Sequence, residues 1–414
     1  MQRTTRLSAA LAAALFVILL AGCSSGSSTV TLWSDHPDVA ALVELFNAEQ
    51  ERYHVTVQYT ENAANALVTE QEQPDLVLAA QIANETTFPS FSNLDALYPA
   101  PGSAPRLYRS LSALGRTDRG QLLVPVSFDL PAIMFRSGPA DSLLPQFAFS
   151  LEELREIGAL HNEQEGERYT RMGFSPRWDA DFLYLTARLE GAGFHEAAAR
   201  QVRWSRERLA ASVELLRDWS TNQNGGINAE SAFQERYLYD PAYQLLLRGR
   251  VRFWYTSAAE HFSYSDGQRN ALGLRWITGD RGVPVLEGIR YLGIPREAEN
   301  RPGAQAFVKW WLTEETQRQL LRSARRKSLL SFGLLDGFTA FPRVNRQVIP
   351  RLYPSLLGMV PAEADLAFPR QKPKEWQQLR NEIVEPWLQR EVTGASQEGS
   401  LDAQIEDWIR QRGE

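Results

Sequence analysis

The chain has 414 residues, 43% of them hydrophobic and 23% charged, which is the balance of a globular protein rather than a disordered one. Its 44 basic and 50 acidic residues give a formal charge of −6, so neither nucleic acid nor anionic lipid is expected as a general partner. One cysteine, Cys23, excludes an internal disulfide and any multi-cysteine metal site, and the length suits two lobes.

The chain opens with Arg3 and Arg6 ahead of an apolar stretch, Leu7 to Ala21, broken only by Ser8. That run falls short of the roughly 20 residues a spanning helix needs and reads as an export signal. It ends in Leu20-Ala21-Gly22-Cys23, which resembles the lipobox of bacterial lipoproteins, whose cysteine is lipidated and becomes the new N-terminus. Residues 1–22 are then the signal peptide, and residues 23–28, rich in Ser and Gly, a flexible tether. Losing Arg3 and Arg6 with the signal would move the net charge from −6 to −8.

Thr29 to Trp33 is β-rich, and Val39, Leu42, Val43 and Phe46 recur at helical spacing after Pro37. Val55, Val57 and Tyr59 alternate as in a half-buried strand, and Leu76 to Ala80 is a continuous apolar run suited to a covered strand. Strand, helix, strand and buried strand predict an α/β domain with a largely parallel sheet. Further on, Ser150 with Glu153 forms a possible capping box, and helical patterns cover Asp179–Glu190 and Arg206–Trp219. Val251–Tyr255, Leu272–Ile277 and Ile289–Ile294 read as strands, Ala304–Leu321 as one long helix, and the remainder as mostly helical. Leu401, Ile405, Trp408 and Ile409 share one face of the last helix.

The ordered pieces resemble the family 1 extracellular solute-binding proteins of ABC importers, the maltose-binding type. The resemblance is carried by Thr31-Leu32-Trp33, Pro74-Asp75-Leu76-Val77, Val124-Pro125-Val126-Ser127, the glycine turn Leu247–Phe253, and above all Ala306–Gln317. It implies a periplasmic-binding-protein-like α/β fold of two interleaved lobes around a cleft. Lobe 1 would comprise 29–128 and about 286–330; lobe 2 would comprise about 136–282 and 335–414; crossings are expected near 127–136, 282–288 and 329–337. It further implies a monomer, anchored to the membrane by lipid only and facing the periplasm or exterior, that captures a carbohydrate and hands it to ABC permease subunits. No cofactor, catalytic residue or metal is expected.

Ligands of open α/β sheets bind outside the carboxyl ends of the strands. A sugar needs aromatic platforms for its C–H faces and polar side chains for its hydroxyls. Trp33 and Asp35 end the first strand, Gln81 ends the Leu76–Ala80 run, and Asp129 lies in the first crossing. Trp178 stands in a loop where the family often presents a ring; Trp254 and Ser257 end the Val251 strand, where alternation predicts that only one of Trp254 and Tyr255 faces the cleft. Trp376 corresponds to a late helix-start ring of maltose-binding relatives. Arg290 departs from the family's small residues there and biases the site toward a carboxylate or phosphate, so a sugar acid or sugar phosphate is an alternative ligand. Trp310 and Trp311 are read as packing, and Arg322, Arg325, Arg326 and Lys327 as a solvated helix end. No nucleophile elbow, phosphate-binding loop or His-Glu-x-x-His motif supports an enzyme. A surface or sensory lipoprotein that keeps the fold is a second alternative.

Overall fold

The computed structural model describes residues 27–98, 107–198, 201–395 and 399–412. Cys23 and the signal segment lie outside the described residues. Two sheets organise the chain. In chain order their strands are β1 (Ser28–Ser34), β2 (Tyr53–Tyr59), β3 (Leu76–Ala80), β4 (Leu123–Phe128), β5 (Pro131–Arg136), β6 (Ala148–Phe149), β7 (Phe253–Ser257), β8 (Leu272–Ile277), β9 (Arg290–Gly293) and β10 (Phe338–Thr339).

The first sheet runs in the order β10-β4-β9-β3-β1-β2. β1 lies parallel to β2 and to β3, whereas β9 is antiparallel to both β3 and β4. The sheet is therefore mixed rather than largely parallel, because the chain returns through β9 from the second lobe. The helix Val39–Glu49 buries the expected stripe of Val39, Leu42, Val43 and Phe46. Leu76 to Ala79 are fully covered, as a strand between two parallel or antiparallel neighbours requires.

The second sheet runs β7-β5-β8-β6. Only Asp129 and Leu130 separate β4 in one sheet from β5 in the other, so the first crossing is very tight. Ser150 and Glu153 form the expected reciprocal cap, with Glu153 N donating to Ser150 Oγ at 3.1 Å and Ser150 N to Glu153 Oε2 at 2.9 Å. The long helix expected over Ala304–Leu321 is two helices, Arg301–Trp311 and Glu314–Arg326. Thr313 breaks it by accepting from Thr316 N at 3.1 Å, an N-cap that apolar periodicity does not reveal.

The segment 329–337, read from sequence as the last crossing, instead leads into β10, whose Phe338 and Thr339 pair antiparallel with Phe128 and Ser127. The helix that follows, Pro342–Leu352, stays with the first sheet and packs on Glu314–Arg326, with Arg318 Nη2 donating to Gln347 at 3.0 Å. The passage to the second sheet comes after that helix: Trp276 Nε1 of β8 donates to the Met359 carbonyl at 2.6 Å. Leu366 and Ala367 then pair parallel with Val283 and Pro284. The C-terminal helices close the second lobe, burying Leu401 and Ile405 against Leu183, Phe194 and Leu388.

Candidate binding cleft between the lobes

The carboxyl ends of β1 and β3 meet the start of β9. Asp35, just past β1, accepts from Ala80 N at 2.9 Å and stands 3.5 Å from Arg290 Nε. Arg290 also donates to the Leu335 carbonyl at 3.3 Å. Beside this pair, His36 Nε2 and Asp336 Oδ2 are 2.9 Å apart. Burial by itself pushes the Asp336 carboxyl up, but the His36 bond, with the charges of His36 and Arg290, holds it below the ordinary carboxylate value. Gln81, Leu335 and Asp336 all have left-handed backbones, at φ 58°, 53° and 59°, a conformation that non-glycine residues adopt at a cost.

Asp129 occupies the crossing itself. Its carboxylate accepts from Leu130 N at 2.8 Å and from Ala259 N at 3.3 Å, and its carbonyl accepts from Leu286 N at 3.0 Å. One residue thus ties two crossings to the start of the helix Ala258–Ser263. Burial pushes its carboxyl up to about 7, against hydrogen bonds from Ser257, Leu130 and Ala259 that pull it down. Ser257 caps that same helix, its Oγ accepting from Glu260 N at 3.2 Å.

The aromatic candidates fall into separate places. Trp33 is 4% exposed, sits in the core of the first sheet and donates to Gln58 at 3.2 Å. Trp178 and Trp254 come together: Trp254 stacks on Trp178 at 5.9 Å and 24°, and Trp178 on Phe233 at 5.8 Å and 18°. Tyr255 points to the other side of β7, edge-on to Phe182 at 5.4 Å. Trp376 is 2% exposed and packs on Phe194 and Tyr184.

Sequence reasoning missed Glu287, the hub beneath Trp376. It accepts from Trp376 Nε1 at 2.5 Å and Tyr184 Oη at 2.7 Å, and faces Lys372 Nζ at 3.0 Å and Arg188 Nε at 3.5 Å. Burial alone raises such a carboxyl, yet Lys372 and Arg188 outweigh it and bring Glu287 down to about 2. A second unforeseen group joins Arg380 to Asp181 and to Glu385, the latter at 2.8 Å. Nearby, burial and the charge of Asp181 lift Asp179 to about 6. No local pattern pairs these residues, which are distant in sequence; the Asp-Ala-Asp of 179–181 at a helix start was the only available hint.

The lobes touch along the cleft rim. Lys374 Nζ donates to Asn65 Oδ1 at 3.0 Å, Glu85 N to Glu196 Oε2 at 3.1 Å, and Gln371 Nε2 to the Leu114 carbonyl at 3.4 Å. Between them lies a cavity of about 50 Å³, bordered by Gln81 and Leu114 from one lobe, Gln371, Trp376 and Gln377 from the other, and Glu287 from the crossing. A space of that size holds a water or two, so entry of anything larger requires the lobes to part.

No protein-family model and no curated protein matches the sequence. Solved structures do match in shape. The chain is similar to the GacH receptor of Streptomyces glaucescens, at a TM-score of 0.64 and 18% identity over 93% of this chain and 98% of that one. The sugar-binding protein MalE of Xanthomonas citri gives 0.64 and 14% over 93% and 96%. An ABC substrate-binding protein of Listeria monocytogenes, solved in complex with cycloalternan, gives 0.61 and 11% over 94% and 99%. Two sheets joined by short crossings around a cleft, matched end to end by these structures, give the chain the periplasmic-binding-protein fold of the MalE type.

Proposed function

We propose that the chain is an extracytoplasmic receptor that takes a small carbohydrate between its lobes and delivers it to an ABC permease, carried at the membrane by a lipid on Cys23 and doing no chemistry on its ligand. The observation that carries this reading is the interlobe space itself, where Gln81 at the end of β3 faces Gln377 and Trp376 across a rim of hydrogen bonds. Structures of this shape include one with cycloalternan and others described with acarbose and mannotriose. Asp35, Gln81, Asp129, Ser257 and Arg290 supply the hydroxyl partners, with Trp376 at the edge; Trp178 and Trp254 extend the second-lobe wall. A neutral sugar fits better than an anion, because Arg290 is already matched by Asp35 at 3.5 Å and by the Leu335 carbonyl.

A thermal-shift screen, followed by calorimetry, tests the reading with maltotriose, mannotriose, cyclic glucans, uronic acids and sugar phosphates. One or more neutral oligosaccharides should raise the melting temperature, and Gln81→Ala should weaken the hit about tenfold, equivalent to about 1.4 kcal/mol. Stabilisation by acidic sugars alone would replace the neutral ligand with an anionic one.

A further inference from the structure

Beside the cleft, and sharing Pro369, Arg370 and Lys372 with it as a common wall, the second lobe holds a further cavity of about 500 Å³. It forms where the helix Ala180–Leu189 ends, the turn Gly279–Gly282 folds back on itself, and the chain leaves the Leu366–Ala367 pairing. Five cations border it, Arg188, Arg203, Arg281, Arg370 and Lys372, against Asp280 as the single carboxylate of the lining. In a chain of net charge −6, so many like charges around one concavity repel unless something balances them.

Glu287 balances two from behind, standing 3.5 Å from Arg188 and 3.0 Å from Lys372. Arg203, Arg281 and Arg370 are exposed at the mouth of the cavity, and their side chains make no hydrogen bond or ion pair with a described residue. They come from three distant parts of the sequence, so folding rather than a local charge run assembles them. The other wall is aromatic: Trp204, which stacks on the buried Phe194 at 5.6 Å and 26°, and Phe368. Planar guanidinium groups with several donors each suit a multiply charged oxyanion, and the volume lies in the range of small-molecule sites, well above that of a bare phosphate ion.

We propose that this cavity is a second binding site, beside the interlobe cleft, for a phosphate-bearing molecule whose phosphate is held by Arg203, Arg281 and Arg370 and whose body rests on Trp204 and Phe368. The phosphate belongs either to a soluble ester or to a phospholipid headgroup. The site stands whether or not the cleft binds a sugar.

Two measurements on the purified full chain at low salt test it: calorimetric titration with inorganic pyrophosphate, and co-sedimentation with phosphatidylglycerol vesicles, scored as the excess over phosphatidylcholine vesicles. Saturable one-to-one binding in either arm is expected and identifies the source. It should fall at least tenfold in Arg203→Glu/Arg281→Glu and in the milder Arg203→Gln, with an unchanged melting temperature. Arg290→Ala, in the cleft, should leave it intact. Binding in neither arm, binding unaffected by these variants, or binding lost in Arg290→Ala overturns the proposal.

Discussion

Asp129 shows how one side chain can serve the hinge more than the ligand. It accepts from Leu130 N and Ala259 N, and burial lifts its carboxyl from 3.8 to about 7. A carboxyl raised on folding binds its proton more tightly in the folded state, so the stability it provides is fully present below pH 4 and is lost as pH rises toward 7. Asp129→Asn keeps an oxygen to accept both N–H groups and removes the charge. Melting curves from pH 4 to 8 should therefore show the variant gaining on the wild type as pH rises, by about 2–4 °C at pH 8 for each kcal/mol recovered. A difference independent of pH would mean that the Asp129 charge carries no such cost. Glu287 behaves in the opposite sense: held down to about 2, its contribution is present above the ordinary carboxylate range and disappears only in strong acid. Trp33 and Trp376 stand out in the sequence as sugar platforms, but at 4% and 2% exposure their removal leaves cavities costing about 3–5 kcal/mol, so affinity changes in such variants mix binding with loss of fold.

Among the elements, β10 is the one that sequence placed elsewhere. Its glycine explains how it fits: a Cβ on Gly337 would stand 2.5 Å from the Phe128 carbonyl oxygen and 2.9 Å from its carbon, both backbone atoms that β4 holds in place. Gly337→Ala should cost about 1–3 kcal/mol by forcing β10 off the sheet edge. Urea denaturation checks this, and an unmoved midpoint would show that β10 adapts freely. Phe128 and Phe338 stack at 5.7 Å, and moving β10 off the edge would pull these two rings apart. The reading of 329–337 as a crossing failed because a two-residue edge strand has no periodicity to detect. The split at Thr313 escaped because only Leu312 and Thr313 separate the two helices, and the cap is a single polar side chain that apolar spacing does not register. Elements with long periodic patterns were legible: Leu272–Ile277 falls where alternation puts it, and Val39–Glu49 buries the expected four residues.

At the scale of the whole molecule, hydrogen bonds along the rim bridge the two lobes. Lys374 reaches Asn65 across the cleft at 3.0 Å while its neighbour Trp376 packs beneath. Lys374→Met removes that bridge and keeps most of the apolar stem. The free variant should open more often, giving a larger radius of gyration in small-angle X-ray scattering, and its ligand should bind more weakly because part of the binding energy is then spent on closure. An unchanged scattering profile together with unchanged affinity would show that the rim bond does not bias the equilibrium. Length and strand-helix alternation led from sequence alone to two lobes of α/β type, and the family resemblance added the cleft, because burial patterns of single elements are local and survive in the linear order of residues. Tertiary structure alone decided that Glu287 meets Lys372, Arg188, Tyr184 and Trp376, that Asp129 holds the hinge, and that five cations converge beside Phe194. Charges attract or repel across space without regard to sequence separation, so only the folded chain shows which of them meet.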